Sequence, residues 1–174
     1  WLHALTSIAL ASLSSMAVAD PNKPPSVVAV PFGDDVAGHA LSEAVDAALP
    51  SATKERGLSS VRADSVKPVF EALRACKDDG CRAKNTRRLN ARYAVVGAVV
   101  HDALALRLVD ADVGDTVATV RVDGEPPAVL AKTPSAVDDL LDQVAPKASF
   151  ARARALADAR RARAGGDLDG ADAA

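Results

Sequence analysis

Three observations predict a mixed α/β fold for this 174-residue chain. A short wholly apolar run, Val27-Val28-Ala29-Val30, has the pattern of a strand covered on both faces; segments 93–100, 104–109 and 117–122 are apolar and joined by tight turns; and apolar residues recur at helical spacing between and after them. Together they describe a single two-layer domain over 27–146. It holds a mixed sheet of about five strands, with an antiparallel meander over 93–122, and three to four packing helices.

The elements follow in order. Pro31 and Gly33 end the first strand, after which Ala37, Leu41, Ala44, Val45, Ala48 and Leu49 line one face of a helix capped by Asp34 or Asp35. Pro50 either ends that helix or begins a further turn, and Gly57 stops what continues. Leu58 to Val61 reads as a second strand. Asp64-Ser65 caps a helix with Val69, Phe70, Leu73 and Cys76 on one face, which Lys77-Asp78-Asp79-Gly80 breaks. The stretch from Cys81 to Asn90 is helical but strongly polar, so it is expected to lie mostly exposed. Within the meander, alternation puts Leu104, Leu106 and Leu108 on one face and Arg107 on the other, solvated face, with turns at His101-Asp102 and at Asp110 to Asp115. Pro126-Pro127 ends the meander; Thr133-Pro134 reads as a cap and first helical position, opening a helix with Val137, Leu140, Leu141 and Val144 inward. Pro146 closes the domain, and 147–174 is an Ala/Arg-rich helical extension interrupted at Gly165-Gly166.

The chain is 49% hydrophobic and 25% charged with a net charge of -2, an ordinary globular composition without a global pull toward nucleic acid or acidic lipid. Any electrostatic partner must therefore be met by a local patch. Beyond the first 19 residues the aromatic residues are Phe32, Phe70, Tyr93 and Phe150, too few to build stacking platforms for bases or sugars. From Trp1 to Ala19 there is no Lys, Arg, Asp or Glu, an apolar centre lies at Ile8 to Ala11, and Ala17-Val18-Ala19 precedes Asp20. This small-x-small pattern predicts a secretory signal peptide over 1–19, with its basic start and initiating Met missing before Trp1. No Cys follows the apolar run, so lipid attachment is not expected, and 20–26 is a Pro-rich spacer. The reading is of an exported chain, periplasmic or secreted, with no transmembrane span in its mature part.

The element order, the Cys-bearing turn and the phrases "ARYAVVGAVV" and "LALRLVDADVGDTV" resemble the TolB amino-terminal-like and curli-secretion-lipoprotein-like α/β domains of bacterial envelope proteins. The likeness covers about Val27 to Val144. It is carried most specifically by Cys81 with Leu89, Ala91, Tyr93 and Gly97, and by Leu108-Val109-Asp110 with Gly114. Departures are Asn85, where such domains carry an aliphatic residue, and the tight His101-Asp102 turn. The resemblance implies a non-catalytic assembly, secretion or interaction module. The tail "ALADARRARAGGDLDGADAA" is similar to the first helix and turn of a tetratricopeptide repeat, an array that needs several stacked copies.

Few residues offer chemistry. Cys76 and Cys81 would lie about 8 to 9 Å apart on a continuous helix, too far to bridge. The break at Asp78 to Gly80 folds the chain back, and in an exported protein two Cys so placed are expected to form a structural disulfide. Redox catalysis wants two intervening residues, and a zinc site wants two further ligands, whereas His39 and His101 sit on separate elements. Neither metal nor cofactor is expected. No Ser or Cys lies in an activating motif near His39, and the Asp110, Asp112, Gly114, Asp115 loop lacks the distal Glu of a calcium loop and reads as a tight turn. The basic run Arg74, Lys77, Arg82, Lys84, Arg87, Arg88 and Arg92 is opposed in sequence only by Asp78 and Asp79. Lys84, Arg87 and Arg88 share a helix face, making them the candidate patch for anionic lipid, glycan phosphate or an acidic partner.

These features predict a non-enzymatic exported interaction or assembly module of the cell envelope. An envelope protein is its expected partner, and nucleic acid is not. The alternatives are a small secreted hydrolase using His39 with a nearby carboxylate, and a curli-type secretion component, which a lipid-anchor Cys and membrane-spanning amphipathic strands would have favoured.

Overall fold

The computed structural model describes residues 24–33, 35–62, 67–100 and 103–164. The predicted leader, most of the spacer, the Asp64-Ser65 cap, the His101-Asp102 turn and the Gly165-Gly166 break lie outside the described residues.

Among the described residues five strands and five helices follow one another: β1 (Ser26–Ala29), α1 (Val36–Lys54), β2 (Ser59–Val61), α2 (Lys67–Arg74), α3 (Asp79–Arg88), β3 (Tyr93–Val100), β4 (Ala103–Asp110), β5 (Asp115–Asp123), α4 (Pro126–Asp142) and α5 (Lys147–Ala164). The strands form one mixed sheet in the order β2-β1-β3-β4-β5. β1 lies parallel to both β2 and β3, and β3-β4-β5 is the antiparallel meander. The mixture follows from the connections, because helices cross over between the parallel strands whereas short turns join the antiparallel ones.

Where two layers are expected, the helices occupy both faces. Val27, Ala29, Val95, Leu104, Leu106 and Leu108 pack against α1 and α4, while Val28, Val30, Ala94, Val96 and Val109 pack against α2 and α3. The alternation of β1 accounts for this: a strand apolar at every position has two faces to cover, so one helical layer cannot suffice.

Two helix starts differ from the sequence expectation. The segment from Asp78 to Gly80 does not precede α3 as a break; it starts the helix. Asp78 is the N-cap, its side chain accepting the Cys81 N–H at 2.8 Å, and Asp79 is the first helical residue. Pro126-Pro127 likewise begins α4 at positions where a missing N–H costs nothing, and the helix runs on through Thr133-Pro134. Thr133 is buried with its hydroxyl donating to the Val129 carbonyl at 3.0 Å, while Pro134 sits exposed, where its unmade backbone bond is left to water. At Pro50 the second of the two readings holds: α1 continues for a further turn to Lys54, and Thr53 Oγ1 donates to the Leu49 carbonyl at 2.7 Å.

The polar helix α3 is less exposed than predicted. Ala83, Asn85 and Thr86 are buried, and Leu89 follows as its C-cap. Asn90 then takes a φ of +53°, the left-handed conformation that ends helices and that Asn tolerates. Its carbonyl accepts Ser26 Oγ at 2.8 Å, tying the end of α3 to the start of β1.

The extension begins on the body of the domain. Arg56, after α1, is 5% exposed and donates from Nη1 to the Ala52 carbonyl and Asp138 Oδ1, and from Nη2 to the Asp138 carbonyl and Asp142 Oδ1, at 2.8–3.0 Å. Lys147 Nζ reaches Asp138 Oδ2 and Glu55 Oε2 at 2.6 Å. Asp138 carries a carboxyl held below its ordinary value; burial opposes that charge, but the hydrogen bonds and charges of Lys147 and Arg56 outweigh it. From Ala151 to Ala162 every residue of α5 is exposed.

Candidate functional site

The candidate patch is made by the way α3 closes on the sheet. Cys76 lies just past α2 and Cys81 in the first turn of α3, and the turn between them brings their Cα atoms to 5.5 Å and joins them in a disulfide. Asn85, one turn on, points its amide at this bridge: Nδ2 donates to Cys76 Sγ at 3.3 Å and to the Cys81 carbonyl at 3.2 Å. The polar side chain thus packs on sulfur and satisfies its own hydrogen-bonding groups, with Oδ1 accepting Arg88 Nη1 at 3.1 Å.

The acidic residues flanking this helix are used inside the domain. Asp78 caps the helix. Asp79 accepts Arg82 Nη1 at 2.8 Å on one oxygen, and Thr116 Oγ1 at 2.8 Å and Arg107 Nη1 at 3.4 Å on the other. Burial works against its charge, yet the bonds from Thr116 and Arg82 and the charge of Arg107 prevail and hold its carboxyl below the ordinary value. Arg107, expected on a solvated face, is therefore drawn into a cluster linking α3 to β4 and β5.

The basic run is divided by the fold. Arg82 is spent on Asp79 and on the Cys76 carbonyl, 3.0 Å away. Arg92 stacks 5.1 Å above the Tyr93 ring and donates from Nη2 to Asp110 Oδ2 at 3.2 Å, with Asp112 Oδ2 3.5 Å from Nε. Asp110 is 3% exposed, and its turn brings to the basic stretch two carboxylates that sequence adjacency did not reveal. Lys84, Arg87 and Arg88 remain exposed together on α3. Arg87 is also anchored, its Nε donating to the Ala111 carbonyl at 2.6 Å, which fixes the helix end against the β4–β5 turn. In that turn Gly114 takes a φ of +83° and donates its N–H to the Asp110 carbonyl at 2.8 Å, a tight turn as read from the sequence.

His39 lies exposed on α1. The hydrolase reading needs a pocket converging on it, but the hollow at that end of the domain, about 50 Å³, is lined by apolar residues including Leu41, Val99, Ala103, Pro126, Val129 and Leu130 and not by His39. His101 lies outside the described residues. Among the described residues no group of three or more His, Cys, Asp or Glu could hold a metal ion, and no helix is long and apolar enough to cross a membrane. Sequence reasoning missed the Asp79 and Arg56 clusters. The capping pattern at Asp78-Asp79 was a usable signal for the first; nothing local marks Arg56, whose partners lie 82 and 86 residues away.

No family model matches the chain, and no curated protein matches it. Among solved structures, the chain is similar to a point-variant PelC dodecamer from Paraburkholderia phytofirmans, at 17% identity and a TM-score of 0.40, over 71% of this chain and 90% of that one. It is also similar to a second PelC dodecamer structure from the same organism, at 18% identity and a TM-score of 0.37, over 70% of this chain and 86% of that one.

Proposed function

We propose that this chain is a non-catalytic interaction or assembly module of the bacterial envelope, exported to the periplasm or beyond, which meets an anionic partner surface through Lys84, Arg87 and Arg88 on α3. One observation carries the reading: the two acids of the helix start are engaged elsewhere, Asp78 in capping and Asp79 in the Arg82, Arg107 and Thr116 cluster, and among the described residues Lys84, Arg87 and Arg88 stand exposed together on α3 without a carboxylate ion pair of their own. The disulfide and the Arg87 bond to Ala111 hold that face in place, which lowers the ordering cost of binding.

The test compares the chain with a Lys84→Gln/Arg88→Gln variant, which spares the structural Arg87, and with a variant that adds Arg87→Gln. Retention is measured on phosphatidylcholine vesicles with and without phosphatidylglycerol, from low to physiological salt. Retention that depends on the anionic lipid, falls with salt and is lost in the double variant supports the reading. Equal retention of all three proteins, or none of the parent, rejects the lipid-facing form. Capture of envelope proteins that is the same for parent and variants rejects the patch as a partner surface.

A further inference from the structure

We propose that this chain assembles head to tail: α5 of one copy lays Leu156 into the apolar hollow of the next, and Arg152 and Arg160 meet the acidic rim of that hollow. The contact is separate from the α3 patch. The acceptor lies where α1 and α4 begin. Leu41, Val99, Val129 and Leu130 are among its walls, and Val36, 87% exposed, precedes the lining residue Ala37. Its volume of about 50 Å³ is a third of the roughly 150 Å³ that houses a benzene ring, so it suits the branched end of one aliphatic side chain and excludes an aromatic one. Asp35 caps α1, Asp123 and Glu125 flank the lining residue Gly124, and all three are exposed. Among the described residues the basic side chain paired with them is Arg121, 2.8 Å from Asp123.

The donor is the one large apolar side chain on the exposed part of α5. Among the described residues the exposed large apolar side chains are four valines and Leu156, and Leu156 reaches furthest from its backbone. Residues four apart share a helix face, which puts Arg152 one turn before Leu156 and Arg160 one turn after it. Asp158, the acid of this helix, lies round the far side and is bonded to Arg161. The Leu156 face is thus apolar at its centre and basic around it, the complement of an apolar hollow with an acidic rim. One copy does not make the contact with itself. Its α5 is seated at the ends of α1 and α4 through Glu55, Gly57 and Asp138, whereas the hollow lies at their starts, about 25 Å away along helices of 19 and 17 residues. Leu156 accordingly stays 54% exposed in the copy that carries it. Donor and acceptor at opposite ends of one body make a heterologous contact, so each copy can give a helix to one neighbour and receive one from another.

The experiment is sedimentation equilibrium of the full chain over a wide concentration range, with Leu156→Asp, which spoils the donor, and Val99→Lys, which spoils the acceptor, run alone and mixed in equal amounts. Far-UV circular dichroism checks that each variant is folded, and Arg152→Glu/Arg160→Glu, at exposed positions, tests the charges without disturbing the core. The parent is expected to associate reversibly, its mean mass rising with concentration. Leu156→Asp, Val99→Lys and the charge reversal should each raise the dissociation constant roughly tenfold or more. The mixture of Leu156→Asp and Val99→Lys should form a one-to-one complex, because one intact helix and one intact hollow remain between the two. A parent that stays monomeric throughout, any variant that by itself associates like the parent, or a mixture that does not associate would each overturn the proposal. Every variant keeps Lys84, Arg87 and Arg88, so this result is independent of the anionic-partner reading.

Discussion

Phe150, in the first turn of α5, lies so close against Gly57 that a methyl group on Gly57 would stand 2.2 Å from the ring edge. Gly57 also has a φ of +67°, so both backbone and space reserve this site for glycine. With Lys147 held by Asp138 and Glu55, this seat fixes the base of a helix that otherwise projects into solvent.

Gly57→Ala should therefore unseat α5 as well as strain the turn. The expected cost is about 1–3 kcal/mol of unfolding free energy. Limited trypsin digestion should cut the variant near Arg152 and Arg154 faster than the parent. An unchanged urea midpoint together with unchanged cleavage would show that the ring does not depend on this seat.

Arg56 binds three carbonyl or carboxylate partners on α4 and one carbonyl on α1 from a buried position. Arg56→Ala leaves those acceptors unmatched and a void between the two helices. A loss of about 2–4 kcal/mol is expected, read from urea denaturation. Arg56→Lys should recover only part of it, because an ammonium cannot reproduce the forked geometry.

The Asp79 carboxyl is held below its ordinary value of 3.8 in the folded chain. The sign follows directly: a depressed folded value contributes stability that is fully present above the unfolded value and is lost as pH falls through the folded one. Urea midpoints measured from about pH 5 down to about pH 2 should fall, with Asp138 adding to the drop. Asp79→Asn should cost about 1–2 kcal/mol at neutral pH and flatten the acid limb, since the variant has no charge to lose there. An acid limb as steep as the parent's would assign the pH dependence to other groups.

Removing the disulfide by Cys76→Ser/Cys81→Ser should lower stability by about 2 kcal/mol, the effect of opening a small loop in the unfolded chain. Because Asn85 rests on both sulfurs, amide exchange in α3 should rise more than in β3 or β4. Uniform protection across the chain would show that the bridge acts on the unfolded state alone.

Much of the sheet could be read in advance because its information is local. The apolar run at β1, the alternation of Leu104, Leu106 and Leu108 and the turn ending in Gly114 each declare a strand or turn through neighbours two residues apart. Helix starts were harder. Pro126 and Thr133-Pro134 both fit an N-terminus, and only the burial of Val129 and Thr133 against the sheet distinguishes the true start at Pro126.

By itself the sequence determined the α/β class, the five strands, the turn at Gly114 and the face that Lys84, Arg87 and Arg88 share, since all of these depend on spacing along one segment. Only the tertiary structure decided that helices cover both faces, that Asp79 gathers Arg107 and Thr116, that Asp110 withdraws Arg92 from the basic run, and that Arg56 binds α4. Those pairings join residues 18 to 86 positions apart. Which charge meets which is settled by how the sheet and helices pack, because a side chain's partner is set by distance in space and the pattern of a single segment contains no record of it.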